Sequence, residues 1–265
     1  MKKIETIEET HDILLNIAKE FHKICEEENI PYYMLGGTML GAIRHTGFIP
    51  WDDDMDFGIP IEHYERAKKA IERKLDKQYK CTTYRNDPGN RSAFVKISDI
   101  TTHIDDPTRR LPIKKQIGVN IDIFPLLRCE ADDYRTKKLL LLKRLYTAVY
   151  TESTKGGAFK AFIKKALRLF CPISDDRMLD NITKALYKAY KKDGEYISNL
   201  LGAWGNKETV PYNVMGNPKL YQFENTSFYG VEAPHEYLTS LYGNDYMVMP
   251  PENKRKIHAT NIYRE

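Results

Sequence analysis

Apolar side chains recur at Ile7, Ile13, Leu14, Ile17, Phe21 and Ile24, which is the spacing of one helix face. They predict a helix over residues 6–28. The period then changes. Tyr32-Tyr33-Met34-Leu35 is a short continuous apolar run that stops at Gly36-Gly37, and it reads as a buried strand entering a turn. Thr38 is placed to cap a short helix beyond that turn, within which Gly41 is tolerated. Alternation over Asp54–Ile59 predicts a second strand, and a helix follows over 61–75. Residues 93–100 and 117–124 give two more strands, with Pro125 ending the second.

The pattern shifts after residue 128. Stretches 132–149, 157–170 and 174–192 are helical in spacing and rich in lysine. From Tyr196 the chain is aromatic with scattered Gly and Pro; Glu224–Val231 reads as a strand and Pro234–Tyr242 as a short helix. The pattern predicts a catalytic part at 1–128 and a mainly helical part at 129–265 that binds donor or acceptor and ends in an aromatic-rich tail.

Composition adds limits. The chain has 265 residues, 42% of them hydrophobic and 29% charged, enough for one full core. The net charge of +4 permits an acidic substrate or an anionic membrane surface, and nucleic acid is not an expected partner. Cys25, Cys81, Cys129 and Cys171 lie far apart with no CxxC pair, which argues against a zinc site or a disulfide framework. There is no apolar signal core at the N-terminus and no apolar run of spanning length. A cytoplasmic protein is expected.

The chemistry concentrates in one stretch. If residues 52–57 are extended, Asp52, Asp54 and Asp56 share one face while Met55 and Phe57 point into the core. Carboxylates at i and i+2, about 7 Å apart at Cα, can converge on magnesium, a hard cation that takes oxygen ligands, with manganese as the alternative. A merely solvated acidic turn is the competing reading. Asp122 sits in the apolar run Val119-Asn120-Ile121-Asp122-Ile123-Phe124, where an unpaired buried carboxylate is costly. Either a metal on an adjacent strand offsets that cost, or the strand is an edge with Asp122 in water. Beside a metal, Asp122 could also accept the proton of an attacking hydroxyl. Gly36, Gly37 and Thr38 form a turn at a helix start, which suits a phosphate.

Gly36-Gly37-Thr38, Asp54-Met55-Asp56 and the later strand aspartate Asp122 together resemble the nucleotidyltransferase-fold superfamily. The longer string from Leu35 to Asp56 resembles the LicD family in particular, and Tyr242-Gly243-Asn244-Asp245-Tyr246 with Pro250-Pro251 and Lys254-Arg255 resembles that family's C-terminal signature. The resemblance implies an α+β fold with a mixed sheet flanked by helices. It implies transfer of a phospho-alcohol, typically phosphocholine from CDP-choline, to a hydroxyl of a surface glycan or lipid-linked glycan. Fukutin-type phosphoribitol transferases are similar in this core. The family's metal ligands map onto Asp54, Asp56 and Asp122; Asp52 aligns with a further acidic position of open role.

Secondary candidates surround these. Arg44 could hold a phosphate bidentately or fix its own loop, and His45 could donate to a phosphate. Lys96 either pairs with the nucleotide diphosphate or lies on a solvated face. Asp99 and His103 carry weaker signals. Trp204, Tyr212, Tyr221, Phe223, Phe228 and Tyr229 could include faces for a quaternary ammonium, or belong to the core. Phe159–Phe170 is a basic amphipathic pattern that suits peripheral membrane contact or a core-facing helix. Two rival functions remain open: a nucleotidyltransferase that releases pyrophosphate, and an inactive module that binds nucleotide or glycan.

Overall fold

The computed structural model describes residues 1–105, 111–130, 132–150, 173–255 and 261–265. The basic stretch 159–170 lies outside the described residues. Helix α1 (Ile7–Glu27) starts at Thr6, whose Oγ1 accepts the Glu9 N–H at 3.3 Å, with Glu8 and Glu9 at the positive end of the helix. Its apolar face is buried as the spacing requires, and Phe21 meets Phe57 of the sheet at 5.1 Å between ring centroids.

The central sheet is mixed. Its strands are ordered β2 (Tyr33–Met34), β3 (Asp56–Pro60), β7 (Asn120–Cys129), β5 (Val95–Asp99) and β4 (Tyr79–Thr82). Only the β3–β7 pair is parallel; the crossover between them includes helix α3 (Ile61–Lys74). Tyr64 on α3 donates its hydroxyl to Ile123 O and accepts the Val95 N–H, tying the helix to the β5–β7 join. Helices thus flank a mixed sheet, the α+β architecture of the nucleotidyltransferase fold.

Strand β7 continues past residue 124. Pro125 does not end it; the strand runs to Cys129. The Asp122 N–H bonds Met55 O, so even-numbered N–H groups point to β3 and odd-numbered ones to the other edge. Pro125 falls on that other edge, between the last β5 partner, Ile123, and Leu127, the first residue of β7 to pair with β8 (Tyr196–Ser198). Its missing N–H is not needed there.

After Cys129 come helices α4 (Tyr134–Tyr150), α5 (Asp175–Ala189), α6 (Tyr212–Met215) and α7 (Pro234–Tyr242), alternating with short strands. Strand β8 (Tyr196–Ser198) pairs with β7 and with β9 (Thr209–Pro211). Strands β10 (Lys219–Phe223) and β11 (Thr226–Gly230) form a hairpin turning at Glu224, φ +54°. Strand β12 (Ile262–Arg264) joins β1 (Lys2–Lys3) and β6 (Thr102–Ile104), so both ends of the chain lie in one small sheet. No described helix is long and apolar enough to cross a membrane.

Candidate active site

Strand β3 begins at Asp56, two residues later than the alternation predicts. Asp52 and Asp54 therefore lie on the loop before it, and the expected shared strand face holds for Asp56 alone. The reason is pairing: β2 engages only Phe57 and Gly58, and β7 engages β3 from Asp56 onward. A turn bond from Asp52 N–H to Ile49 O shapes the approach. Met55 and Phe57 are fully buried, as expected.

Convergence comes through the neighbouring strand. Asp56 and Asp122 are register partners across β3 and β7, and Lys96 is the register partner of Asp122 across β5. Register partners share a face, so the three side chains form a row across the sheet. Lys96 Nζ contacts Asp122 Oδ1 and bonds Asn120 Oδ1 at 3.1 Å. Strand β7 is flanked on both sides, which rules out the solvent-facing edge reading of Asp122.

The electrostatics are lopsided. Burial, then Asp54, Asp122 and Glu208, push the Asp56 carboxyl well above the usual carboxylate range; Lys96 only partly opposes them. Burial together with Asp54 and Asp53 also raises Asp52. At Asp56, one lysine stands against the three carboxyl groups of Asp54, Asp122 and Glu208. No three His, Cys, Asp or Glu side chains among the described residues are drawn into a closed ligand shell. Yet the available donors are all hard oxygens in a region short of positive charge, which fits a divalent cation of the magnesium type.

The glycine turn lies against these acids. Gly36 has φ +48°, and its N–H donates to the Tyr237 hydroxyl at 3.0 Å. Gly37 leaves no room for a side chain: a Cβ there would stand 2.6 Å from Asp52 Oδ2. Thr38 is not the cap. Helix α2 (Gly36–His45) begins two residues earlier, at an N-cap position held by Leu35. Thr38 Oγ1 instead accepts the Asp56 N–H at 2.8 Å, so the turn sets the height of β3 at its first residue. The positive end of α2 lies beside the carboxylates: a Cβ on Gly36 would stand 3.7 Å from Asp56 Oδ2.

Arg44 and His45 end α2, and Arg44 binds its own protein. Its Nη1 donates to Tyr246 O at 2.8 Å and its Nε to His45 Nε2 at 3.0 Å. These bonds dock the 242–251 segment on the glycine motif. Arg255 completes the docking by lying over the Trp51 ring, 4.8 Å from its centroid. The two signature regions of the sequence thus form one structure.

Between them opens a cleft of about 560 Å³, walled by Trp51, Trp204, Tyr242 and Tyr246, with Asp52 and Asp245 at its sides and Gly37 at its base. Trp204 meets Tyr242 edge to face at 5.3 Å. Of the late aromatics singled out in the sequence, Trp204 lines the cleft. Phe223 and Phe228 are core, and Tyr212 lies under Arg128. Asp99 and His103 are also placed elsewhere: Asp99 accepts from Gln78 and Thr101 in a turn, and His103 faces Glu265 in the small sheet.

Sequence reasoning missed Glu208 and Tyr237, and it met Tyr242 only as part of the C-terminal signature, with no role assigned. Glu208 is 5% exposed, and its Oε2 has no hydrogen-bond partner. Burial pushes its carboxyl up to about 7, against the pull of Lys143 and of bonds from Trp204 N–H and Asn199. Lys143 directs its ammonium to the carbonyls of Leu200 and Gly202. Together these groups fasten the loop that presents Trp204. A glutamate in a Gly-Asn-Lys-Glu turn gives no local sign of burial.

Comparison with known proteins agrees with this geometry. Residues 29–153 match the family model for the LicD/FKTN/FKRP nucleotidyltransferase domain. The lipopolysaccharide cholinephosphotransferase LicD of Haemophilus influenzae is 30% identical over 97% of both chains. Human ribitol 5-phosphate transferase FKRP is 46% identical over 39 residues, 15% of this chain and 8% of that protein. An uncharacterized Rickettsia prowazekii protein, RP689, is 48% identical over 49 residues, 18% of each chain. End-to-end similarity to one relative, with the motif shared by the others, makes this chain a member of the LicD family.

Proposed function

We propose that this protein is a phosphotransferase that moves phosphocholine from CDP-choline to a hydroxyl of a surface-glycan precursor. Two observations support the reading: full-length similarity to a lipopolysaccharide cholinephosphotransferase, and the cleft beside the carboxylate row. The cleft carries the choice of alcohol. A trimethylammonium group has no N–H to donate and is held best by aromatic faces with negative charge nearby. Trp51, Trp204, Tyr242 and Tyr246 supply the faces and Asp245 a charge beside them. A ribitol or glycerol chain would call for many hydrogen-bonding groups instead.

In this reading Asp54, Asp56 and Asp122 hold Mg²⁺, which when bound supplies charge neutralisation at the donor diphosphate. The α2 N-terminus with Gly36, Gly37 and Thr38 orients a phosphate through backbone N–H groups. The acceptor oxygen forms the new P–O bond, the bond to CMP breaks, and Asp122 takes the hydroxyl proton. Lys96 steadies Asp122 and reaches the same face as the phosphates. Arg44 and His45 hold the cleft wall in place rather than touching phosphate.

The deciding experiment incubates the protein with Mg²⁺ and CDP-choline, CDP-ribitol or CDP-glycerol and follows the leaving group. CMP released fastest from CDP-choline is the expected result. Preference for CDP-ribitol or CDP-glycerol overturns the choice of alcohol. Pyrophosphate release from a nucleoside triphosphate overturns the reaction class. Binding of CDP-choline with no turnover on any acceptor makes the protein a binding module.

A further inference from the structure

Helix α4 carries apolar residues on two sides, and among the described residues only one of these sides is buried. Thr136, Leu139, Tyr146 and Val149 are buried. Tyr134, Leu141 and Leu145, at i, i+7 and i+11, form a second stripe that is 70%, 57% and 43% exposed. Single exposed apolar residues need no explanation, but three along one helical line do.

Cations border this stripe. Arg135, Lys138 and Arg144 are exposed on α4. Arg135 and Lys138 line a cleft of about 680 Å³ shared with Lys184 and Lys188 of α5, its walls completed by Tyr134 and Leu142. No carboxylate lines that cleft among the described residues. Among the described residues, Lys138, Lys184 and Lys188 form no salt bridge. A soluble polyanion would use the cations and leave Leu141 and Leu145 in water. An apolar protein partner would bury the leucines against a row of unpaired charges. Only a surface that is anionic above and hydrocarbon below satisfies both sets together.

We propose that the α4–α5 face docks on an anionic lipid bilayer. The cleft takes phosphate headgroups, and Tyr134, Leu141 and Leu145 enter the interface. The docking side is coupled to the candidate active site through the same helix. Lys143 projects from the opposite side of α4 and holds the carbonyl of Leu200 at 3.1 Å, in the loop that carries Trp204. One helix, about 10 Å across, then separates the membrane from the wall of the aromatic cleft. A glycan carried on a lipid would be presented beside the site.

The test is sedimentation with phosphatidylcholine vesicles, with and without phosphatidylglycerol, across a salt series. Vesicle binding needs no turnover, so it stands or falls apart from the transferase reading. The wild type should bind only vesicles containing phosphatidylglycerol and be released by salt. Reversing Arg135, Lys138, Lys184 and Lys188 to Glu should weaken binding by ~100-fold or more. Leu141→Ser with Leu145→Ser should weaken it by about tenfold while leaving the salt dependence. Melting temperature and the tryptophan response to CDP-choline report folding of each variant. If the fourfold variant fails to fold, Lys188→Glu and the wild-type salt series decide. Equal wild-type binding to neutral and anionic vesicles, or charge reversal without effect, overturns the proposal. So does a wild-type dimer that the leucine variant dissociates, since a second copy would then occupy the stripe.

Discussion

Asp56 and Asp122 stand side by side on the one parallel strand pair of the central sheet, and each has a different second neighbour. Asp122 contacts Lys96 directly, whereas Asp56 sits among Asp54, Asp122 and Glu208 and feels Lys96 only as a weaker, partly opposing charge. Replacing the two by asparagine should therefore have unequal effects. Because the Asp56 carboxyl is raised in the folded state, the stability it contributes is present at low pH and is lost as pH rises through its folded pKa. Asp56→Asn removes that loss, so without divalent cations it should melt at or above the wild type at pH 8. It should nonetheless abolish transfer, with a loss of at least ~1000-fold, about 4 kcal/mol. Calorimetry paired with CMP release checks both halves. For Asp122→Asn, recovery of rate on adding Mg²⁺ marks a ligand only, and failure to recover marks a base as well.

Lys96 is the cation of this row. Lys96→Met leaves Asp122 without its partner and should destabilise the metal-free protein by about 3 kcal/mol. Added Mg²⁺ should return much of that loss if the carboxylates bind it. Thermal melts with and without Mg²⁺ read the difference, and a variant indifferent to Mg²⁺ would remove the metal from the site.

Glu208 predicts a pH dependence. Its carboxyl rises from an ordinary value near 4.5 to about 7. The folded state thus holds its proton longer than the unfolded state, and stability falls as pH climbs between those values. Glu208→Gln, which keeps the shape and the Trp204 bond, removes this fall. The variant should match the wild type near pH 4.5 and exceed it above pH 7 by roughly 3 kcal/mol. Denaturant midpoints at the two pH values test the sign; a gap that is the same at both would refute it.

The chain has two tryptophans, Trp51 and Trp204, and both line the aromatic cleft. Tryptophan emission, excited selectively over tyrosine, therefore reports on this cleft. CDP-choline should change it more than CDP does. Trp204→Leu keeps the apolar wall but removes a π face, and should raise KM for CDP-choline about tenfold with little change for CDP-glycerol. Equal losses for both donors would place Trp204 in the wall without a part in choosing the alcohol.

Local signals carried much of this arrangement in the sequence. Helix spacing placed α1, α3 and α7 closely, and the glycine turn with its aspartates marked the site. Asp122 stood out because an apolar strand makes a lone carboxylate expensive. What local pattern could not carry was partnership. Asp54 and Asp56 looked alike by alternation, but β7 pairing begins at Asp56 and leaves Asp54 on the loop. Pro125 looked like a strand end because its harmlessness depends on which edge its nitrogen faces. Arg44 stood open between holding a phosphate and fixing its loop because its acceptors, Tyr246 O and Val248 O, lie about two hundred residues away. Glu208 was invisible because its burial comes from tertiary packing.

The bond from Gly36 N–H to the Tyr237 hydroxyl spans 201 positions of the chain. With the Arg44–Tyr246 bond, it means that the glycine motif is completed by residues made about two hundred positions later. Chains are synthesised from the N-terminus at about 5–20 residues per second. A nascent chain therefore carries its glycine turn and acidic loop for many seconds before Tyr237 and Tyr246 leave the ribosome. Such distant closures also slow folding. The glycine turn is finished only once those residues are out, so a product terminated before Tyr237 would lack this closure even with Asp52, Asp54, Asp56 and Asp122 all present.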